Sequence, residues 1–160
     1  MNIYSIISRQ VLPLTAKQAW DFFSCPGNLP DICPPYLDFK IKSGYNGERM
    51  YAGQIIEYTL KPFRGIKINW VSEITHVNEP WFFVDEQRFG PYALWHHKHY
   101  FREVESGVEM TDIVHYAIPG WILGIILHKL MIRKQLEKIF SFREKKLEQK
   151  FGQHANMLTY

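Results

Sequence analysis

Two histidines one residue apart, His97 and His99, lie in the run Trp95-His96-His97-Lys98-His99-Tyr100-Phe101. Alternate side chains of an extended strand share a face, so Trp95, His97, His99 and Phe101 point the same way. The two aromatics mark that face as the inner one, which turns both imidazoles inward. Asp85 and Asp112 stand on either side of this run, where the neighbouring strands of an antiparallel meander would fall. A three-residue loop at Gly90 to Tyr92 sets Phe89 opposite Ala93, hence Gln87 opposite Trp95 and Asp85 opposite His97. A two-residue turn at Ser106-Gly107 sets Phe101 opposite Asp112 and leaves Asp112 diagonal to His99; a register shorter by two puts them directly opposite. Either register yields two inward carboxylate–histidine pairs, unless the strands slip by one.

Such pairs admit three chemistries. In a satisfied polar network each carboxylate fixes a histidine tautomer, and the group orients the polar end of a bound molecule. In acid–base catalysis, His97 and His99, held by Asp85 and Asp112 and facing an apolar cavity, would move protons on an enolisable or cyclising substrate. In a metal site, His-x-His directs two imidazoles to one side and Asp112 or His76 would complete the set. No third ligand stands at a recognised spacing, so neither a metal nor another cofactor is expected.

The remaining composition bounds the class of protein. A chain of 160 residues suits one domain able to bury a core without disulfides or metals. Its 46% hydrophobic and 22% charged content is that of a globular fold. The aromatic share of 16% suits a ligand cavity as well as a core. A net charge of +3 gives no reason to expect a nucleic-acid partner. Cys25 and Cys33 are the only cysteines, and we expect two free thiols in a reducing cytoplasm. The first residues lack the charged and apolar regions of a secretory signal. Trp121 to Ile132 is apolar but contains His128 and Lys129 and is too short to span a bilayer.

The elements follow from pattern. Asn2 to Leu12 is rich in β-branched residues and reads as a strand. Thr15 caps a helix running to Cys25, and one or two further helical turns are expected near Asn28 to Ile32, among prolines 26, 30, 34 and 35. A strand follows near Leu37 to Ser43. In Gln54 to Leu60, Ile56, Tyr58 and Leu60 share one face; in the next strand Ile66, Ile68, Trp70 and Ile74 do the same. Arg64-Gly65, Gly90-Pro91 and Ser106-Gly107 are candidate turns of a sheet covered on one side only. Trp121 to Phe151 has helical spacing in Ile122, Ile126, Leu130, Leu136, Ile139, Phe140, Leu147 and Phe151, and would reach about 45 Å. Its outer side is read as basic, with Lys134, Lys138, Arg143, Lys145, Lys146 and Lys150. That side is a solvated face or, less simply, a docking surface for transient contact with an anionic membrane. The order β-α-α-β6-α describes a helix-grip α+β fold, a curved antiparallel sheet of about seven strands around a C-terminal helix. One domain is expected over residues 1–151, with 152–160 a flexible tail.

The run Asp85, Gln87, Gly90-Pro91-Tyr92, Trp95, His97, His99, Phe101, then Gly107, Asp112, Val114, Tyr116, Pro119 and Gly120 resembles the bacterial SRPBCC ligand-binding proteins. Asn28-Leu29, Pro34 and Phe39-Lys40-Ile41 are similar to them as well. That group belongs to the START/Bet v 1-like superfamily, is often labelled polyketide cyclase/dehydrase-like, and includes domains fused to sugar-epimerase-like proteins. The resemblance covers the chain to about Phe151 and implies the helix-grip fold. It brings no catalytic residue set with it, because the superfamily spans carriers, sensors and cyclases.

The expectation for function is a binding module whose cavity between helix and sheet takes a small hydrophobic molecule, lipid-like or aromatic. Tyr58, Trp70, Trp95 and Tyr116 would line it, while Asp85, Gln87, His97, His99 and Asp112 meet the polar end. The alternatives are a cyclase or dehydratase using a His-Asp pair, and an adaptor that regulates a protein partner. Asp21 and His128 are expected to be solvated or capping groups. Oligomeric state is left open.

Overall fold

The computed structural model describes residues 2–63, 66–120 and 131–152. Seven strands form one antiparallel sheet: β1 (Tyr4–Leu12), β2 (Lys40–Ser43), β3 (Ile55–Phe63), β4 (Ile66–Asn78), β5 (Phe82–Phe89), β6 (Leu94–Val104) and β7 (Gly107–Ala117). Their order is β1-β7-β6-β5-β4-β3-β2, a meander whose last strand is flanked by the first. Helix α1 (Ala16–Phe23) and helix α2 (Arg133–Phe151) lie on the inner face, joined to it by apolar side chains. At 1.5 Å per residue, the 19 residues of α2 reach about 28 Å along it. The Arg64-Gly65 turn, His128 with the expected helix over 121–130, and residues 153–160 lie outside the described residues.

Helix α1 begins where the sequence signals it. Gln18 N–H donates to Thr15 Oγ1 (3.2 Å) and Thr15 N–H donates to Gln18 Oε1 (2.9 Å), a reciprocal cap that satisfies two amides without helical partners. Replacing Thr15 with Ala is expected to cost about 1 kcal/mol, read as a lower urea midpoint at unchanged slope. The helix sends Trp20 into the core, edge-on to Phe83 (6.0 Å) and Phe101 (6.2 Å). That contact fixes α1 across β5 and β6.

The second expected helix is a 3-10 segment, Pro26–Ile32, followed by another at Pro35–Leu37. Pro26 opens the first and Pro30 lies inside it, and neither can donate the amide that an α-helix needs. The expected strand from Leu37 starts instead at Lys40, because Leu37 closes a 3-10 turn and Asp38 takes the left-handed conformation at φ 44°.

The β6–β7 hairpin decides the geometry of the site. Val104 pairs with Gly107, so the two-residue loop is Glu105-Ser106, one step earlier than expected, and His99 pairs directly with Asp112. Gly107 is needed there. Its φ is 137°, and a Cβ would collide with the carbonyl oxygen of Leu12. Asp85 pairs with His97, as the loop at Gly90 to Tyr92 predicts. No helix among the described residues is long and apolar enough to cross a membrane.

Candidate functional site

Between α2 and the concave face of the sheet lies a cavity of about 430 Å³. Its wall is mostly aliphatic and aromatic, with Leu29, Phe39, Trp70, Trp95, Leu136 and Phe140 among the lining groups. Trp70 and Trp95 meet edge-on at 5.2 Å, and Tyr92 covers both rings at 5.6 and 4.9 Å. Buried charge enters this wall through Asp85, His97, His99 and Arg143.

These groups and Asp112 form one connected cluster, where two separate pairs were expected. Asp112 Oδ1 accepts from His97 Nε2 at 3.0 Å and lies 2.8 Å from His99 Nδ1. The second approach is off the direction of an N–H bond, so it is a charge contact and leaves Nδ1 without a directed partner. On the cavity side, Asp85 Oδ2 accepts from His99 Nε2 at 2.9 Å and lies 3.4 Å from His97 Nδ1. The register pairs Asp85 with His97 and His99 with Asp112, yet the directed hydrogen bonds run diagonally. The rings are held from the side as well. Their centroids are 3.7 Å apart, and Phe83 stacks on His99 at 4.1 Å.

Arg143 closes the cluster from α2, its Nη1 3.6 Å from Asp112 Oδ2 and its guanidinium 5.5 Å from the Phe140 ring. The side chain is only 13% exposed, which corrects its expected place on the basic outer side of the helix. The signal was in the spacing. Leu136, Phe140, Arg143 and Leu147 fall at intervals of four, three and four, so Arg143 occupies a position on the apolar stripe. Its Nε has no hydrogen-bond partner among the described residues.

The charges act on one another. Burial works against the Asp112 carboxylate, but the hydrogen bond from His97, the close approach of His99 and the charge of Arg143 outweigh it and hold the group well below the usual carboxylate range. Asp85 is also held low, where burial is outweighed by His97 and His99. Burial and the neighbouring His99 push His97 down, toward the neutral ring. Burial acts on His99 too, yet Asp112 and Asp85 together raise it, favouring the imidazolium. Two carboxylates thus face one guanidinium and two imidazoles, of which burial favours the neutral ring in His97 and the carboxylates favour the charged ring in His99.

The other expected site residues divide by position. Tyr58, Trp70 and Trp95 line the cavity with Asp85, His97 and His99. Asp112 lies behind the histidines. Tyr116 is buried beside Tyr4 in the cluster around Val114 and Ile132. Gln87 clips the β5–β6 loop, its Nε2 donating to the Tyr92 carbonyl (2.7 Å) and its Oε1 accepting from Tyr92 N–H (3.2 Å). Neither Tyr116 nor Gln87 is among the lining groups. Cys25 and Cys33 are free and half-buried at the cavity wall, and burial raises the Cys33 thiol. Asp21 is a surface ion-pair partner of Lys17 and Arg49.

No family model matches the chain, and no curated protein matches its sequence. Its fold does match solved structures. The TTHA0849 protein of Thermus thermophilus shares 18% identity at a TM-score of 0.67, over 92% of this chain and 97% of that one. CV1439 of Chromobacterium violaceum shares 12% at 0.70, over 92% and 96%. Major latex-like protein 151 of Panax ginseng shares 11% at 0.67, over 93% and 97%. With its seven-stranded antiparallel sheet and C-terminal helix, the chain has the helix-grip fold of the START/Bet v 1-like superfamily.

Proposed function

We propose that this protein binds one small hydrophobic molecule in the cavity between α2 and the sheet. The polar end of that molecule lies at Asp85, His97, His99 and Arg143. One observation carries the reading: a cavity of about 430 Å³ whose mostly hydrocarbon wall is interrupted by a cluster of acidic and basic groups. That volume lies in the usual range of small-molecule sites, and a few polar groups in an apolar wall are what orients a ligand in them. A ligand that buries about 200 Å² of apolar surface would gain about 5 kcal/mol from burial alone.

The cluster also indicates what the polar end should carry. Arg143 Nε–H has no partner among the described residues, and a neutral His97 whose Nε2 donates to Asp112 would present a lone pair at Nδ1. An oxygen acceptor beside a hydroxyl or acid proton meets both. A fatty-acid-like or hydroxylated aromatic molecule has that chemistry, and the resemblance to polyketide cyclase-like bacterial proteins supports the same class. The exposed lysines of α2 would serve transient loading at an anionic membrane surface. Native mass spectrometry of the purified chain tests the proposal. The expected result is an added mass near one molecule per chain, released on denaturation and identifiable. A bare mass, together with no saturable uptake of a fluorescent fatty acid, would overturn it.

A further inference from the structure

We propose that Asp85, His97 and His99 form a binding site for one divalent first-row transition ion, with its open coordination positions facing the cavity. Its three donors also stand where the polar end of the organic molecule proposed above would lie, and its test needs no organic ligand. One ligand atom from each of the three residues falls within 4.8 Å of the others. The two edges from Asp85 are tighter: Asp85 Oδ2 lies 2.9 Å from His99 Nε2 and 3.4 Å from His97 Nδ1. Ligand atoms at about 2.0–2.1 Å from an ion stand about 2.9 Å apart at right angles and about 3.4 Å apart at the tetrahedral angle. The two edges from Asp85 therefore match the spacing a bound ion would require, and the third, between the histidines, lies within 4.8 Å.

The second argument is what stands behind the triad. An imidazole bound to a metal through one nitrogen usually donates its other N–H to a carboxylate or carbonyl, which fixes the ring and raises its basicity. Here a single carboxylate oxygen, Asp112 Oδ1, faces the rear nitrogen of both rings, His97 Nε2 at 3.0 Å and His99 Nδ1 at 2.8 Å. Phe83 stacked on His99 and α2 above the cavity restrict the remaining freedom of the rings. Asp85, His97 and His99 line the cavity, whereas Asp112 does not, so the donor atoms divide into a front set and a rear support.

Two imidazoles and one carboxylate suit zinc, iron(II) or cobalt better than magnesium or calcium, which favour oxygen ligands throughout. On binding, the ion would take the place of the proton that His99 Nε2 shares with Asp85 Oδ2, and that proton leaves to solvent. The third ligand was not legible at a recognised sequence spacing, because Asp85 comes from the adjoining strand and neither Asp112 nor His76 completes the set.

Titrating chelator-treated full chain with cobalt(II) tests the site through visible ligand-field absorption. The expected result is bands that saturate near one ion per chain and disappear when zinc is added. Asp85→Asn should abolish the saturable bands, and Asp112→Asn should weaken binding about 10- to 100-fold. His96→Gln, on the other face of β6, should leave them unchanged. A wild-type chain that stays folded and shows no saturable bands would overturn the site. Bands that persist in both Asp85→Asn and His99→Gln would do the same, by placing the ion elsewhere.

Discussion

Replacing Asp112 with Ala is expected to lower the unfolding free energy by about 3–5 kcal/mol, the usual cost of removing one partner from a buried charge cluster. Asp112 is 4% exposed and meets three cationic or donor groups: His97 Nε2, His99 Nδ1 and Arg143 Nη1. Its removal leaves His97 N–H without an acceptor and the positive charge of the cluster in excess of the negative. Water cannot readily repair this, because both histidines are about as buried as Asp112. Domains of this size are stable by about 5–15 kcal/mol, so the loss would be a large share of the total. The check is a lower urea midpoint at unchanged slope. The double variant Asp112→Ala with Arg143→Met should fall short of the sum of the two single losses by about 0.5–3 kcal/mol, because each removes the other's unpaired charge. A single-variant loss below about 1 kcal/mol would mean that solvent reaches the cluster and screens it.

The same cluster shows which features the sequence carries and which it does not. The inward face of β6 was legible because alternation has a period of two and Trp95 and Phe101 bracket the histidines. The Asp85–His97 register followed from the length of the Gly90 to Tyr92 loop. Which carboxylate bonds which imidazole was not legible. Opposed residues on adjacent strands are close enough that side-chain rotation alone decides between the facing and the diagonal partner, and here the diagonal wins. Arg143 was read with the surface lysines because charged residues are rarely buried without a partner. Its partner, Asp112, is 31 positions away and meets it only through tertiary structure. Gln87 shows the converse. Its place in the motif suggested the cavity, but a polar side chain two residues short of the strand end satisfies the loop backbone instead. The helical turns near 28–32 were legible among the prolines; the second 3-10 segment, Pro35–Leu37, and the stop at Asp38 were not, since left-handed aspartate leaves little trace in composition.

The test with the greatest reach for function is Arg143→Met, read with two probes of matched hydrocarbon. A carboxylate probe should bind about 10- to 100-fold more weakly to the variant than to the wild type. Its uncharged methyl ester should change by about twofold or less. The difference follows from the geometry. A hydrogen bond to a charged group contributes about 1.5–3 kcal/mol, and about 1.4 kcal/mol is tenfold in affinity. Arg143 Nε–H is a buried donor at the cavity wall without a partner among the described residues, so an incoming carboxylate would satisfy it. Methionine keeps the hydrocarbon stem and removes the charge and the donors, together with the approach of the guanidinium to the Phe140 ring. Equal losses for acid and ester would reduce Arg143 to a shape-determining residue that balances Asp112. A selective loss for the acid would make it the residue that selects an anionic end, and it would do so from the apolar stripe of α2, where a leucine would otherwise serve the fold.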